Sequence, residues 1–186
     1  MKSLLLAGGR SSRMGRDKAL IEVGGVACIA RVASALAAAG CEPIRIAVAQ
    51  PEDVERYGAV MPDGLDVEWV LDAVTHAGPI EALIEALTDP LVADTDSIQL
   101  CPVDVPWVTA DLFFELEKTL GSGDLLAIPA DPERAHPLLA RVRPSIASKI
   151  AEDRRPLHVQ FSEMEHSTLL TEAAILRNVN TPDDLN

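Results

Sequence analysis

Short, nearly continuous apolar runs recur along this chain, at residues 3–7, 43–49, 67–71 and 97–101, and helical patterns separate them. A strand that is apolar on both faces must be covered on both faces. The pattern therefore predicts an α/β fold: a mostly parallel sheet inside a three-layer α/β/α sandwich. Residues 27–39 are predicted to be a helix, rich in Ala with Val and Leu recurring on one face, and Gly40 stops it. Further helices are expected over 51–57 with Pro51 in the first turn, over 79–87 opened by Gly78-Pro79, over 109–120 with Thr109 as N-cap, and over 144–152. Strands are expected over 125–129 and 137–142, and residues 154–177 read as strand, loop and strand. Residues 181–184 read as the start of a helix. Ligands of such sheets bind beyond the C-terminal strand ends, so the loops after the first, third and fourth strands are the places to look.

Composition narrows the function. A length of 186 residues suits one domain, and 48% hydrophobic with only 3% aromatic residues implies an aliphatic core. A net charge of −13 argues against nucleic acid and anionic membranes as partners, while leaving room for a locally basic pocket. Cys28, Cys41 and Cys101 fit neither a disulfide framework nor a metal spacing. The N-terminal apolar run is broken by Gly8 and Gly9, so no signal peptide is expected, no stretch is long enough to span a bilayer, and a cytoplasmic location follows.

The basic pocket has an obvious place. Leu6-Ala7-Gly8-Gly9 ends the first strand, and Arg10, Arg13, Arg16 and Lys18 follow. Glycines let backbone N–H groups approach phosphate oxygens, and Arg13 and Lys18 supply charge for a triphosphate. The segment is neither a P-loop nor a dinucleotide fingerprint; a plain basic surface loop is the alternative. Asp104, in Cys101-Pro102-Val103-Asp104-Val105-Pro106, lies just past a strand end. It suits Mg²⁺, which needs few carboxylates when phosphate supplies the remaining oxygens, and equally suits a turn cap. Asp72 ends the third strand, and Gly78-Pro79-Ile80-Glu81-Ala82 opens a helix whose free N–H groups can meet an anion.

Together these segments resemble the molybdenum cofactor guanylyltransferase family, with Leu6-Ala7-Gly8-Gly9, Arg13-Met14-Gly15, Asp17-Lys18, Cys101-Pro102-Val103-Asp104-Val105-Pro106, His136-Pro137 and Asn178-Val179-Asn180-Thr181-Pro182 in family order. The resemblance implies a Rossmann-like fold of the nucleotide-diphospho-sugar transferase type, with residues 1–107 mainly binding nucleotide and 108–186 mainly binding the acceptor. It implies that Leu6, Ala7, Gly8, Gly9, Arg13, Lys18, Asp72 and Gly78 meet the nucleotide and that Asp104 binds Mg²⁺. Lys18, Asp104 and Arg13 would be catalytic, and Arg154, Arg155 and Asn180 would face the acceptor. Where family members carry Gly-Pro-Leu-x-Gly, this chain has Glu81 and Ala82, which weakens the implication of guanine specificity.

The implied reaction is transfer of GMP from GTP to the terminal phosphate of molybdopterin or molybdenum cofactor, with pyrophosphate released. A molybdoenzyme or a cofactor-carrier protein is a further expected partner. Competing expectations are a cytidylyl- or sugar-phosphate nucleotidylyltransferase of the same fold, and a non-catalytic nucleotide-binding homologue.

Overall fold

A computed structural model of the chain describes residues 1–8, 17–71, 79–92, 94–153, 155–180 and 184. Gly9, Arg13, Asp72, Gly78, Arg154 and the helix start expected at 181–184, apart from Asp184, lie outside the described residues. The elements run β1 (Ser3–Leu6), a 3₁₀ turn (Lys18–Leu20), β2 (Glu22–Val23), β3 (Val26–Ala27), α1 (Cys28–Ala38), β4 (Ile44–Val48), α2 (Pro51–Gly58), β5 (Val67–Leu71), α3 (Pro79–Thr88) and β6 (Ile98–Pro102). They continue with α4 (Ala110–Thr119), β7 (Leu126–Ala130), β8 (Arg141–Val142), α5 (Ala147–Glu152), α6 (Leu157–Glu163) and β9 (His166–Leu170).

Seven strands form one sheet in the order β5-β4-β1-β6-β8-β7-β9. Only β8 runs against its neighbours, and the other pairings are parallel. Alternate residues of β1 go to opposite faces. Leu5 packs with the apolar sides of α1 and α4, and Leu4 packs with those of α3, α5 and α6. The expected three-layer sandwich follows, because a strand buried on both faces needs a helical cover on each. Thr109 caps α4, its hydroxyl accepting from the Leu112 N–H at 3.4 Å. Gly40 adopts φ +69° past the end of α1, the left-handed C-terminal stop that glycine favours.

Two local expectations need correction, and one element lies outside them. Residues 137–142 do not form one strand: a 3₁₀ turn covers Pro137–Leu139, and only Arg141–Val142 pair in the sheet. Proline has no N–H for a ladder and its fixed φ suits the first position of such a turn. Residues 154–177 contain a helix, α6, before the strand β9. Leu157, Gln160 and Phe161 are buried at three- and four-residue spacing, which is a helical period. The hairpin β2–β3 was not expected. Its turn is Gly24-Gly25, both at positive φ, the conformation a two-residue hairpin turn demands.

All three cysteines are free and buried. Burial, and then the nearby negative charge of Asp104, pushes the Cys28 thiol up to about 11 and the Cys101 thiol well above its ordinary value. Both are held as thiols near neutrality. Among the described residues no helix is long and apolar enough to cross a membrane.

Candidate active site

The chain passes from β1 outward through β4 to β5, then returns to the other side of β1 with β6. That reversal opens a crevice between the loops leaving the C-terminal ends of β1 and β6. The two ends are joined by the Val103 N–H, which donates to the Leu6 carbonyl at 3.1 Å, while on the other side of β1 the Ala7 N–H donates to the Ala47 carbonyl of β4 at 3.0 Å. A cavity of about 650 Å³ lies over them, lined by Leu6, Ala7, Gly8, Lys18, Asp104 and residues of later segments. Sites of roughly 300–1,000 Å³ hold small molecules.

Lys18 reaches this cavity from the 3₁₀ turn. Asp17 caps the turn, one carboxylate oxygen accepting from the Ala19 N–H at 3.1 Å. Its other oxygen accepts from the Tyr57 hydroxyl at 2.8 Å and from Arg56 at 3.0 Å. Tyr57 is buried, and burial together with the Asp17 carboxylate raises its hydroxyl well above the ordinary tyrosine value. It therefore remains a donor, and α2 holds the base of the lysine turn.

The Lys18 Nζ donates to Asp104 Oδ2 at 2.9 Å and to Asn180 Oδ1 at 2.7 Å. The side chains are only partly exposed, 27% for Lys18 and 19% for Asp104. Asn178 Nδ2 donates to Asp104 Oδ1 at 3.1 Å, and the Val179 N–H donates to the Asp104 carbonyl at 2.8 Å. Val179 is buried with Ile21 and Cys28, and Trp107 packs against them. Arg177 lies over the Trp107 ring at 4.0 Å from its centroid. The C-terminal segment is thus bound along the loop that carries Asp104.

The donor set fits a hard divalent cation. Asp104 Oδ2 and Asn180 Oδ1 already converge on one cation, the lysine ammonium. Two such oxygens suffice when phosphate and water complete the shell. Among the described residues there is no group of three or more His, Cys, Asp or Glu able to hold a metal without a substrate's help.

Leu6, Ala7, Gly8, Lys18 and Asp104 are brought together at the cavity, and Asn180 joins through Lys18. Arg155 is not brought to the cavity wall. Its guanidinium pairs with Asp153 and Glu163, each at 2.7 Å. Sequence reasoning quoted Asn178 and Asp17 only as parts of motifs, with no role assigned, and passed over Arg134. The alternation of Asn178 and Asn180 was the available signal for the first, because two-residue spacing in extended chain puts both side chains on one side.

Fold and site together suit a nucleotidyltransferase of the α/β class: Gly8 just past the first strand, Lys18 beyond it and Asp104 at the switch point of a mostly parallel sheet. The family model for the MobA-like NTP transferase domain matches residues 3–160, most of the chain, and the chain belongs to that family. The molybdenum cofactor guanylyltransferase of Serratia proteamaculans is 30% identical over 97% of this chain and 90% of its own length. Among solved structures, molybdopterin-guanine dinucleotide biosynthesis protein A from Archaeoglobus fulgidus superimposes with a TM-score of 0.73 at 22% identity, covering 100% of this chain and 95% of that one. A Mycobacterium tuberculosis protein crystallised with manganese gives a TM-score of 0.71 at 19% identity, covering 98% and 94%.

Proposed function

We propose that this chain transfers the GMP moiety of GTP to the terminal phosphate of molybdopterin, or of its molybdenum-bearing form, and uses Mg²⁺. The observation that carries the reading is the Lys18–Asp104 contact, made across 86 positions at the mouth of the β1–β6 crevice. The full-length similarity to guanylyltransferases supports the acceptor.

In this reading residues 1–107 mainly hold the nucleotide and 108–186 mainly hold the acceptor. By the family resemblance Leu6, Ala7 and Gly8 would meet the base and ribose, Gly9, Arg13 and Lys18 the phosphates, and Asp72 and Gly78 the nucleotide. A terminal phosphate oxygen of the acceptor attacks the α-phosphorus. The bond from that phosphorus to the bridging oxygen breaks, and pyrophosphate carries the charge away. The attacking oxygen is already ionised near neutrality, so the chain need only align the two anions and offset their charge. Lys18 meets the charge that builds on the transferred group. Asp104, with Asn180, would hold Mg²⁺, which supplies further neutralisation of phosphate oxygens when bound. The product would pass to a molybdoenzyme or carrier protein, and this chemistry belongs in the cytoplasm with its nucleotide pool.

Glu81 lines the cavity and Ala82 follows it, where the resembled family has glycine. That pair weakens the guanine reading, and cytidylyl transfer on the same fold is the second reading. Purified protein with Mg²⁺, molybdopterin and each of GTP, CTP, ATP and UTP separates them through pyrophosphate release and the nucleotide content of the pterin product. Guanylated product from GTP alone sustains the first reading. Selective use of CTP replaces it with the second, and no turnover with any nucleotide overturns both.

A further inference from the structure

If the nucleotide sits on the β1 side of the cavity, as the nucleotidyl-transfer reading has it, the cavity keeps a second end. Beyond Asp104 its wall is made by Arg134, His136 and Leu138 from the connection between β7 and β8, and by Pro156 and His158 at the start of α6. Both β6 and β7 run antiparallel to β8, so β7 runs parallel to β6 and its following loop leaves from the same sheet edge as Asp104. With β8 between them, the two loops are offset by roughly 10 Å, two strand spacings. The offset points away from β4 and β5, the side to which the nucleotidyl-transfer reading assigns the nucleotide. A carboxylate suited to a metal thus stands between two ends of one cavity, as a transfer between two anions requires.

We propose that this far end is a phosphomonoester subsite for the acceptor, with Arg134 and His158 as its anion-binding groups and the Asp131–His136 pair as its support. The proposal rests on the nucleotidyl-transfer reading. Among the described residues neither the Arg134 guanidinium nor the His158 ring has a hydrogen bond or ion pair. Both residues are exposed at the cavity wall. Arg155, the nearby cation that sequence favours, is by contrast matched by two carboxylates. An arginine without an internal partner presents its full fork to a phosphate.

The position of Arg134 is built. Asp131 Oδ1 accepts from the N–H groups of Glu133 at 2.8 Å and Arg134 at 3.0 Å. The Asp131 N–H donates back to the Arg134 carbonyl at 3.0 Å. Asp131 Oδ2 lies 2.8 Å from His136 Nε2, with both side chains 8% exposed. The Arg134 backbone is fixed through both of its polar groups before any ligand arrives, which lowers the ordering cost of binding. His136 is a positioning residue in this arrangement: it anchors the carboxylate that shapes the turn.

Calorimetric titration with molybdopterin, in Mg²⁺ and a non-hydrolysable GTP analogue, tests the assignment on the wild type and on Arg134→Gln, Arg134→Lys, His158→Gln and Arg155→Gln. Loss of one charge-assisted contact weakens binding by about tenfold. That loss is expected for Arg134→Gln, a smaller one for His158→Gln, partial retention for Arg134→Lys and less than twofold for Arg155→Gln. Affinity for the GTP analogue should stay within twofold throughout. Wild-type molybdopterin affinity in both Arg134→Gln and His158→Gln overturns the subsite, as does a loss that falls on the GTP analogue instead. If the wild type binds the analogue and no molybdopterin, the molybdopterin reading fails separately. Titration with glucose 1-phosphate then decides the subsite: binding weakened by Arg134→Gln sustains it, and binding indifferent to that change, or none, overturns it.

Discussion

The Lys18 ammonium lies 2.9 Å from the Asp104 carboxylate although the two residues are 86 positions apart. One leaves the first strand and the other leaves β6, and the sheet order makes those strands neighbours. The same ammonium also rests on Asn180, 162 positions away. Three distant segments therefore meet on one charge.

That meeting sets the expected cost of losing the charge. Lys18→Ala should lower kcat by about 10²–10³-fold, the effect of removing one preorganised group that meets charge in a transition state. Lys18→Arg should restore little, because a planar fork does not replace a compact point charge. The fold should be nearly unaffected, since a partly exposed pair contributes at most about 1 kcal/mol. Steady-state kinetics beside a urea unfolding curve separates the two effects.

Asp104→Asn keeps the shape and removes the charge. The variant should remain folded and bind Mn²⁺, in the presence of GTP, at least about tenfold more weakly, because a hard cation prefers a carboxylate to an amide oxygen. Electron paramagnetic resonance of free Mn²⁺ reads this without turnover. Unchanged Mn²⁺ affinity would remove Asp104 from the metal site.

Tyr57 acts one step further away. Tyr57→Phe removes the buried hydroxyl that donates to Asp17 at 2.8 Å, at a cost of about 1 kcal/mol. Its raised ionisation keeps the wild-type bond intact through alkaline pH, so the stability difference should be flat from pH 6 to 9. Denaturant midpoints across that range give the answer; a difference that vanished by pH 9 would contradict it.

Asp131 gives a pH dependence with a definite sign. The His136 hydrogen bond first, and then the Glu133 N–H, lower its carboxyl from 3.8 to about 2. Between those values the folded chain binds fewer protons than the unfolded chain. The stabilisation is therefore complete above pH 3.8 and lost as pH falls through about 2. Acid unfolding followed by circular dichroism should lose part of its steepness in that window in Asp131→Asn, with no change of slope from pH 5 to 8.

The sequence made most of this frame legible because most of it is local. Apolar runs marked β1, β4, β5 and β6, while Thr109 and Gly40 marked helix ends through their own backbone chemistry. The hairpin of β2 and β3 escaped because two-residue strands are too short for a period to register, although Gly24-Gly25 was its signal. Residues 157–161 were misread because one helical turn of apolar positions also resembles a short strand. At the site, Lys18 and Asp104 stood out as charges beside strand ends. Asn178 on Asp104 and Asp131 on His136 depend on where the backbone turns in space. Arg155 shows the same limit from the other side: composition reveals its charge, and only geometry reveals the two carboxylates beside it.

The binding of residues 178–180 along the Asp104 loop has a consequence for the order of events during translation. A nascent chain that has reached the end of β9 contains every strand of the sheet and can collapse around it. It still lacks the amide that steadies Asp104, the N–H that holds the loop carbonyl and the oxygen that shares the Lys18 ammonium. The sheet is therefore complete before the Lys18–Asp104–Asn180 contacts are, so chains released before Asn178 would carry every strand and lack the groups that hold Asp104 in place.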